Sequence, residues 1–297
     1  TNYNTAVGYE AGKSVTTGVQ NTLIGGLAGD ALTDADTNVA VGTSALSADT
    51  KGSKSTAIGH SALEAQNFTT STDSHNTAVG NNSGKANTTG VSNSFIGSAS
   101  GQASTSGNYN TALGHLALAT DKIGHESTAI GYFALANQNN ITSTNAYNTA
   151  VGSRAGGNMT TGIVNTLIGA LAGDAITDSD FNVAVGYSAL GTNTVGSSSV
   201  AIGANALATQ NPSTAASMLN VAVGQAAGTA ITTGQENTLI GALAGDDITT
   251  GSNNVVLGSG AAVAAVSTTG ANVLGRNVSG AAGFTTLGSG SDDIRAA

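Results

Sequence analysis

Hydrophobic positions along this chain recur in a short phrase of fixed design. Asn or Ser is followed by Thr or Val, then usually Ala, then Val, Ile or Leu, then Gly. The residues between phrases are mostly Gly, Ser, Thr, Asn and Asp, the residues of turns. Apolar positions show no 3.6-residue spacing, and the phrase itself has the alternation of a strand. The phrase glycines begin at Gly8, Gly25, Gly42 and Gly59, resume at Gly80 and end at Gly275, in steps of 17, 17, 17 and 21 that then start again. NTAVGYEAG (4–12) therefore returns as NTAVGNNSG (76–84) and again as NTAVGSRAG (148–156), at one constant interval. Sixteen units in four 72-residue super-repeats predict an all-β parallel β-solenoid of sixteen coils, with two short strands and two turns per coil.

The alternation sets two strand faces. One carries Val7, Ile24, Val41 and Ile58 beside Thr5, Thr22, Val39 and Thr56, and these β-branched residues are expected to fill the coil. Ala or Ser stands at the third position past the glycine in fifteen of sixteen units, Val278 being the exception, as the small residue opposite them. The residue after that is Gly in the first two units of a super-repeat and usually Leu in the last two. The other face carries Ala6, Leu23, Ala40 and Ala57, with Phe95, Leu167 and Leu239 as further bulky members. A strand apolar on both faces leaves a greasy stripe that soluble monomers rarely expose. The expectation is self-association along the stripe, with Leu23, Phe95, Leu167 and Leu239 as plugs of an inter-chain axis. At roughly 4.8 Å per coil the sixteen coils predict a rod about 75 Å long. Asn4, Asn21, Asn38, Asn76 and Asn93 are expected to stack into an amide ladder, and Ser55, Ser127 and Ser199 replace Asn in the fourth unit of three super-repeats.

Composition narrows the function classes. With 42 Gly, five Phe, six Tyr and no Trp, this is not the make-up of an ordinary globular enzyme. A single Pro rules out collagen and polyproline designs. Net charge is −9, only 8 % of residues are charged, and the eight basic residues are scattered, which argues against nucleic acid. No Cys is present, so there is no disulfide framework. No apolar run reaches the ~18 residues of a membrane span and no signal peptide is legible. The start at TNYN, in phase with NYN at 108–110 and AYN at 146–148, reads as a piece of a longer or processed chain.

The repeats carry a family resemblance. STAIGHSAL (55–63), NVAVGYSAL (182–190) and SVAIGANAL (199–207) resemble the head repeats of YadA-like trimeric autotransporter adhesins. The NTAVGxxAG arrays are similar to those of bacteriophage tail fibres. The resemblance covers residues 4–279 and rests on sixteen phased copies. It implies a left-handed parallel β-roll and an obligate homotrimer. Adhesin head units are typically shorter, and no stalk coiled coil, membrane anchor or chaperone tip is legible in this sequence. The expected organisation is a β-roll rod over 1–279 and a C-terminal cap, or a lead into a further segment, over 280–297. The final GSGSDDIRAA shows no strand pattern.

Candidate chemistry is sparse. GDALTDADTN and GDAITDSDFN place Asp30, Asp34 and Asp36, and Asp174, Asp178 and Asp180, within single loops. Such clusters can supply oxygens to calcium, and they equally suit turns and solubility. The column after the phrase glycine includes Tyr9, His60, His115, Tyr132 and Tyr187, ring faces of the kind that stack on sugars. His60, His75, His115 and His125 have no metal-ligand spacing. Four extra residues follow EAQN (64–67), ANQN (136–139) and ATQN (208–211), giving recurring excursions that suit either a stacking device or a receptor surface. Strand threonines occur singly, without the doublet of an ice-binding array. Nucleotide-binding and catalytic constellations are missing from a chain in which nearly everything is repeated. The expectation is therefore a non-enzymatic, homotrimeric, extracellular fibre shaft or head, with a host-surface receptor or glycan as partner and no cofactor beyond a calcium ion in the acidic loops. A phage tail fibre or similar virion appendage is the first reading, and a bacterial cell-surface adhesin head binding matrix or glycans is the alternative.

Overall fold

A computed structural model describes residues 2–140, 142–289 and 292–296, the last of these as backbone. The chain is an all-β parallel solenoid of about 17 turns, with no helix among the described residues. Two compact units divide it, Thr1–Asn148 and Thr149–Ala297.

In the first unit one short strand per coil stacks in register on the next. Thr5 lies opposite Thr22, Thr22 opposite Val39 and Val39 opposite Thr56, the regular step of the phrase. Thr56 lies opposite Thr77 across the longer step, and the regular step resumes through Ser94, Thr111 and Thr128. The second unit repeats this from Thr149 through Val255 to Asn272, again with one longer step, between Val200 and Val221. Thr285–Ser289 then stacks in parallel on Asn272–Arg276, with Thr285 opposite Asn272 across a shortened step. Asp292–Ala296 turns back and pairs antiparallel with Thr285–Ser289. The chain end expected to lack a strand thus forms one, because its backbone completes the edge left by the last parallel strand.

The second strand expected in every coil is mostly not a strand. Ser44 (φ 55°) and Leu46 (φ 55°) recur as left-handed residues at matching positions in other coils, which no pleated strand tolerates. Coil-to-coil backbone bonds persist regardless, such as Leu27 N to Tyr9 O at 2.8 Å and Gly29 N to Ala45 O at 2.9 Å. Short second strands appear beside the longer coils, for instance Gly52–Ser53 with Thr72–Asp73 and Gly196–Ser197 with Ala216–Ser217.

The phrase glycine is demanded by contact. Gly25 has φ 134°, and a Cβ there would lie 2.6 Å from the carbonyl oxygen of Gly42. No L side chain fits that stack of backbones.

The two faces of the strand are the reverse of the expectation. Ala40, Ala57, Leu23, Phe95, Leu167 and Leu239 are fully buried inside the coil of a single chain, whereas Val7, Ile24 and Ile58 are exposed. The alternation holds, but Val7, Ile24 and Ile58 point outward and a different set of residues faces the interior. The interior is filled by a size code. Leu23 occupies the space left by Gly12 and Gly29, where an added Cβ would lie 2.7 Å and 2.8 Å from its methyls. Phe95 is flanked in the same way by Gly84 and Gly101. In the other coils the strand carries Ala40 or Ala57 and the facing turn supplies Leu46 or Leu63, all fully buried. Leu23, Phe95, Leu167 and Leu239 are consequently core residues of the coil and not plugs between chains.

The asparagine column is a buried stitch. Asn38 N donates to Asn21 Oδ1 at 2.9 Å, and Asn38 Nδ2 reaches across the coil to Gly52 O at 2.9 Å. Asn38 Oδ1 in turn accepts from Ser55 N at 2.9 Å. Each asparagine thus joins two coils and both sides of one coil, satisfying buried polar groups that would otherwise destabilise the fold.

Candidate functional site

The most extensive unpartnered feature is the outward strand face. In the first unit Val7, Ile24, Ile58, Ile96 and Leu113 stand exposed in one column, Val7 at 58 %. In the second unit Ile168, Ile202, Ile240, Leu274 and Leu287 do the same. Half-buried Thr and Val residues, such as Thr22, Val39 and Thr56, line the stripe on the strand side. Because side chains alternate, the residues between them point into the coil, and the exposed members of the stripe have no cover among the described residues.

Two further exposed columns flank it. The one just after the phrase glycines holds Tyr9, His60, His115, Tyr132 and Tyr187, all exposed. The structure brings two of these together: the rings of His115 and Tyr132 stack with centroids 5.9 Å apart and planes 17° apart. Phe133 tilts against Tyr132 at 4.9 Å. His60 instead meets Asn81 Nδ2 at 3.5 Å. Glu10 beside Tyr9 raises the phenol above its ordinary pKa, by a hydrogen bond first and then by its charge. On the other flank, at the fifth position before the glycine, stand Tyr3, Tyr109, Tyr147, Phe181 and Leu219, exposed and with left-handed backbone. This second column was missed in the sequence because the phrase begins one position later.

The acidic loops do not converge. Asp36 Oδ1 accepts from Val19 N and Asp180 Oδ1 from Ile163 N, both at 2.8 Å, so each carboxylate ties its turn to the preceding coil. Asp34 and Asp178 accept from the neighbouring hydroxyls of Thr33 and Thr177. Asp174 pairs with Arg154 at 3.3 Å. Burial raises the Asp30 carboxyl above the ordinary carboxylate range. Among the described residues no three His, Asp or Glu side chains form a group able to hold a metal ion.

The longer coils carry a polar node that sequence reading left in separate pieces. Gln66 Nε2 donates to Ser55 Oγ at 2.8 Å and to Asp49 Oδ2 at 2.7 Å, while its Oε1 accepts from Asn76 Nδ2 at 2.9 Å. Asp49 is fully buried, its Oδ1 accepting from Gly52 N at 3.0 Å and Phe68 N at 3.1 Å. Gln138 with Ser127, Asp121 and Asn148 repeats the node. Gln210 with Ser199 and Asn220 repeats it where Asn193 replaces the aspartate. The co-occurrence of Ser in the strand phrase with Gln in the following turn is the signal that would have revealed it.

The first unit also carries a groove of about 890 Å³ lined by Ala48, Ala65, Ala86, Ala103 and Leu116 together with the Glu64–Lys85 ion pair at 3.3 Å. No helix of the described residues is long and apolar enough to cross a membrane. Comparison with protein-family models and with curated proteins finds no match to this chain.

Proposed function

We propose that this chain is a structural, non-enzymatic element of an extracellular fibre, in which three copies pack through the Val/Ile stripe, and that the fibre is a phage tail fibre or similar virion appendage serving spacing and host adhesion. The observation that carries the reading is the stripe itself. Branched aliphatic side chains recur in one exposed column through each unit, and apolar surface repeated at that scale marks an interface. The phrases that resemble trimeric fibre and adhesin repeats support three as the number of copies and a left-handed coil. The repeated interior supports a mechanical role over a catalytic one, since a reacting site needs a unique constellation.

The second reading, a bacterial cell-surface adhesin head, draws on the stacked His115–Tyr132 pair, which offers ring faces to a glycan. Immunogold electron microscopy of the source culture with an antibody to this chain tests the two. Gold on virion tails is the expected result. Gold on cell envelopes transfers the chain to the adhesin reading, and gold confined to cell interiors removes both.

A further inference from the structure

We infer, resting on the association through the Val/Ile stripe proposed above, that the two exposed columns flanking the stripe are the two halves of one contact between neighbouring copies. The residue just after the phrase glycine on one copy packs against the residue at the fifth position before the phrase glycine, in the same coil, of the next copy.

The outward face of a single coil supplies the geometry. From Phe181 to Tyr187, Asn182 and Ala184 are buried while Phe181, Val183, Val185 and Tyr187 keep access to solvent. The face thus reads rim, stripe, stripe, rim. When copies close into a ring about an axis parallel to the stack, with rotation and no translation, each coil meets the same coil of its neighbour. The contact is then heterologous, so one rim of a face meets the opposite rim of the next. A ring therefore requires the two rims of each coil to suit each other, although within one chain they never touch.

In several coils the side chains meet that requirement. Tyr3 shares a coil with Tyr9, Tyr109 with His115, and Phe181 with Tyr187, placing an aromatic on both rims of the same coil. Where one rim carries Val164 or Glu236, the other carries the small residue Ala170 or Ala242. In the coil of His60 the opposite rim is Lys54, which Asp73 already holds by an ion pair within the chain.

Backbone conformation points the same way. Tyr3 (φ 49°), Tyr109 (φ 59°) and Phe181 (φ 59°) occupy left-handed positions, where a bulky side chain is disfavoured and the last coil uses Gly270 (φ 73°). Their exposures are 77 %, 60 % and 57 %. Among the described residues the ring–ring contacts within the chain are those of His115, Tyr132 and Phe133, so Tyr3, Tyr109 and Phe181 stack on no ring of their own chain. Packing against a neighbour's rim supplies the missing contact.

The absence of native cysteine makes the test direct. The full chain is prepared as Phe181→Cys/Tyr187→Cys, as each single variant, and as Phe181→Cys/Ala204→Cys, in which the partner position lies one coil further on. Within one chain positions 181 and 187 are about 20 Å apart at roughly 3.3 Å per residue, far beyond the ~7 Å between Cα atoms that a disulfide spans. After mild oxidation, denaturing gels without reductant are expected to show the same-coil pair as a ladder ending in a covalent trimer, with the single variants and the shifted pair as monomers. Dimers from either single variant would mean a two-fold contact and overturn the inference, as would stronger cross-linking of the shifted pair. Light scattering on the unmodified chain separates the two levels. A trimer whose same-coil pair does not cross-link overturns the rim contact and leaves the association standing, whereas a monomer overturns both.

Discussion

Gln66 Nε2 donates to Ser55 Oγ at 2.8 Å, which restores by a side chain from the turn what asparagine does from the strand in other coils. The shorter serine cannot reach across the coil, so Gln66 bridges it to Asp49 and Asn76. Gln66→Ala leaves the fully buried Asp49 without one of its donors and Ser55 Oγ with only its bond to Ser74 Oγ. At roughly 1–3 kcal/mol per unsatisfied buried group, a loss of about 2–4 kcal/mol is expected in denaturant unfolding. Gln210→Ala should cost less, because Asn193 takes the place of the carboxylate there and no charge is stranded. Equal losses at the two sites would contradict a role for the buried carboxylate.

The solenoid and its coil-to-coil register were legible because strand alternation and glycine spacing are local and repeated. The direction of the faces was not. Choosing the interior by β-branching put Ile24 inside and Leu23 outside, when the decisive information was the pairing of Leu23 with Gly12 and Gly29 across the coil. Both halves of that size code stand in the sequence, but they belong to different parts of the repeat and meet only when the coil closes. The same holds for Ser55 and Gln66, separated along the chain and directly bonded. The left-handed residues Ser44 and Leu46 left no signal at all, since serine and leucine are not the residues that φ above zero selects. Of the site features, the aromatic column after the phrase glycine was readable by position, whereas the opposite rim acquired meaning only once exposure showed both columns on one face.

Leu239 and Ile240 are adjacent in one strand and divide the two consequences of the face reversal. Leu239 is fully buried and Ile240 is 42 % exposed. Leu239→Ala should cost about 2–5 kcal/mol as a core truncation. Ile240→Asp, together with Ile202→Asp, should leave the circular dichroism spectrum of the coil intact and abolish self-association in light scattering. A double aspartate variant that still assembles would show that the stripe is not the interface.

Glycine and non-glycine positions of left-handed backbone should respond in opposite senses. A Cβ at Gly186 (φ 135°) would sit 2.6 Å from the carbonyl carbon and oxygen of Gly203. Gly186→Ala therefore displaces backbone in two coils, and a loss above about 3 kcal/mol is expected. Glu236 is exposed with φ 58°, and Glu236→Gly relieves a strain of about 1 kcal/mol, reduced by glycine's greater unfolded-state entropy. A small rise in melting temperature for Glu236→Gly, beside a large fall for Gly186→Ala, is the expected pair of results.

Asp247 makes the fold pH-dependent in a direction opposite to most carboxylates. Burial raises its pKa, the charge of Asp246 adds to that, and backbone amides oppose it only in part. Its Oδ1 is buried without a hydrogen-bond partner. The native state therefore holds this proton more tightly than the unfolded chain, and proton linkage makes stability fall as pH rises through the native value. The contribution is fully present below the ordinary aspartate pKa of about 3.9 and lost above the raised one. Asp247→Asn removes the ionisation, so the variant should melt above the parent at pH 7, with the gap closing as the pH approaches 4. Solvent screening keeps the gap small, which makes its pH dependence the informative quantity. A difference in melting temperature that stays constant from pH 4 to pH 8 would assign the effect of the substitution to packing and not to charge.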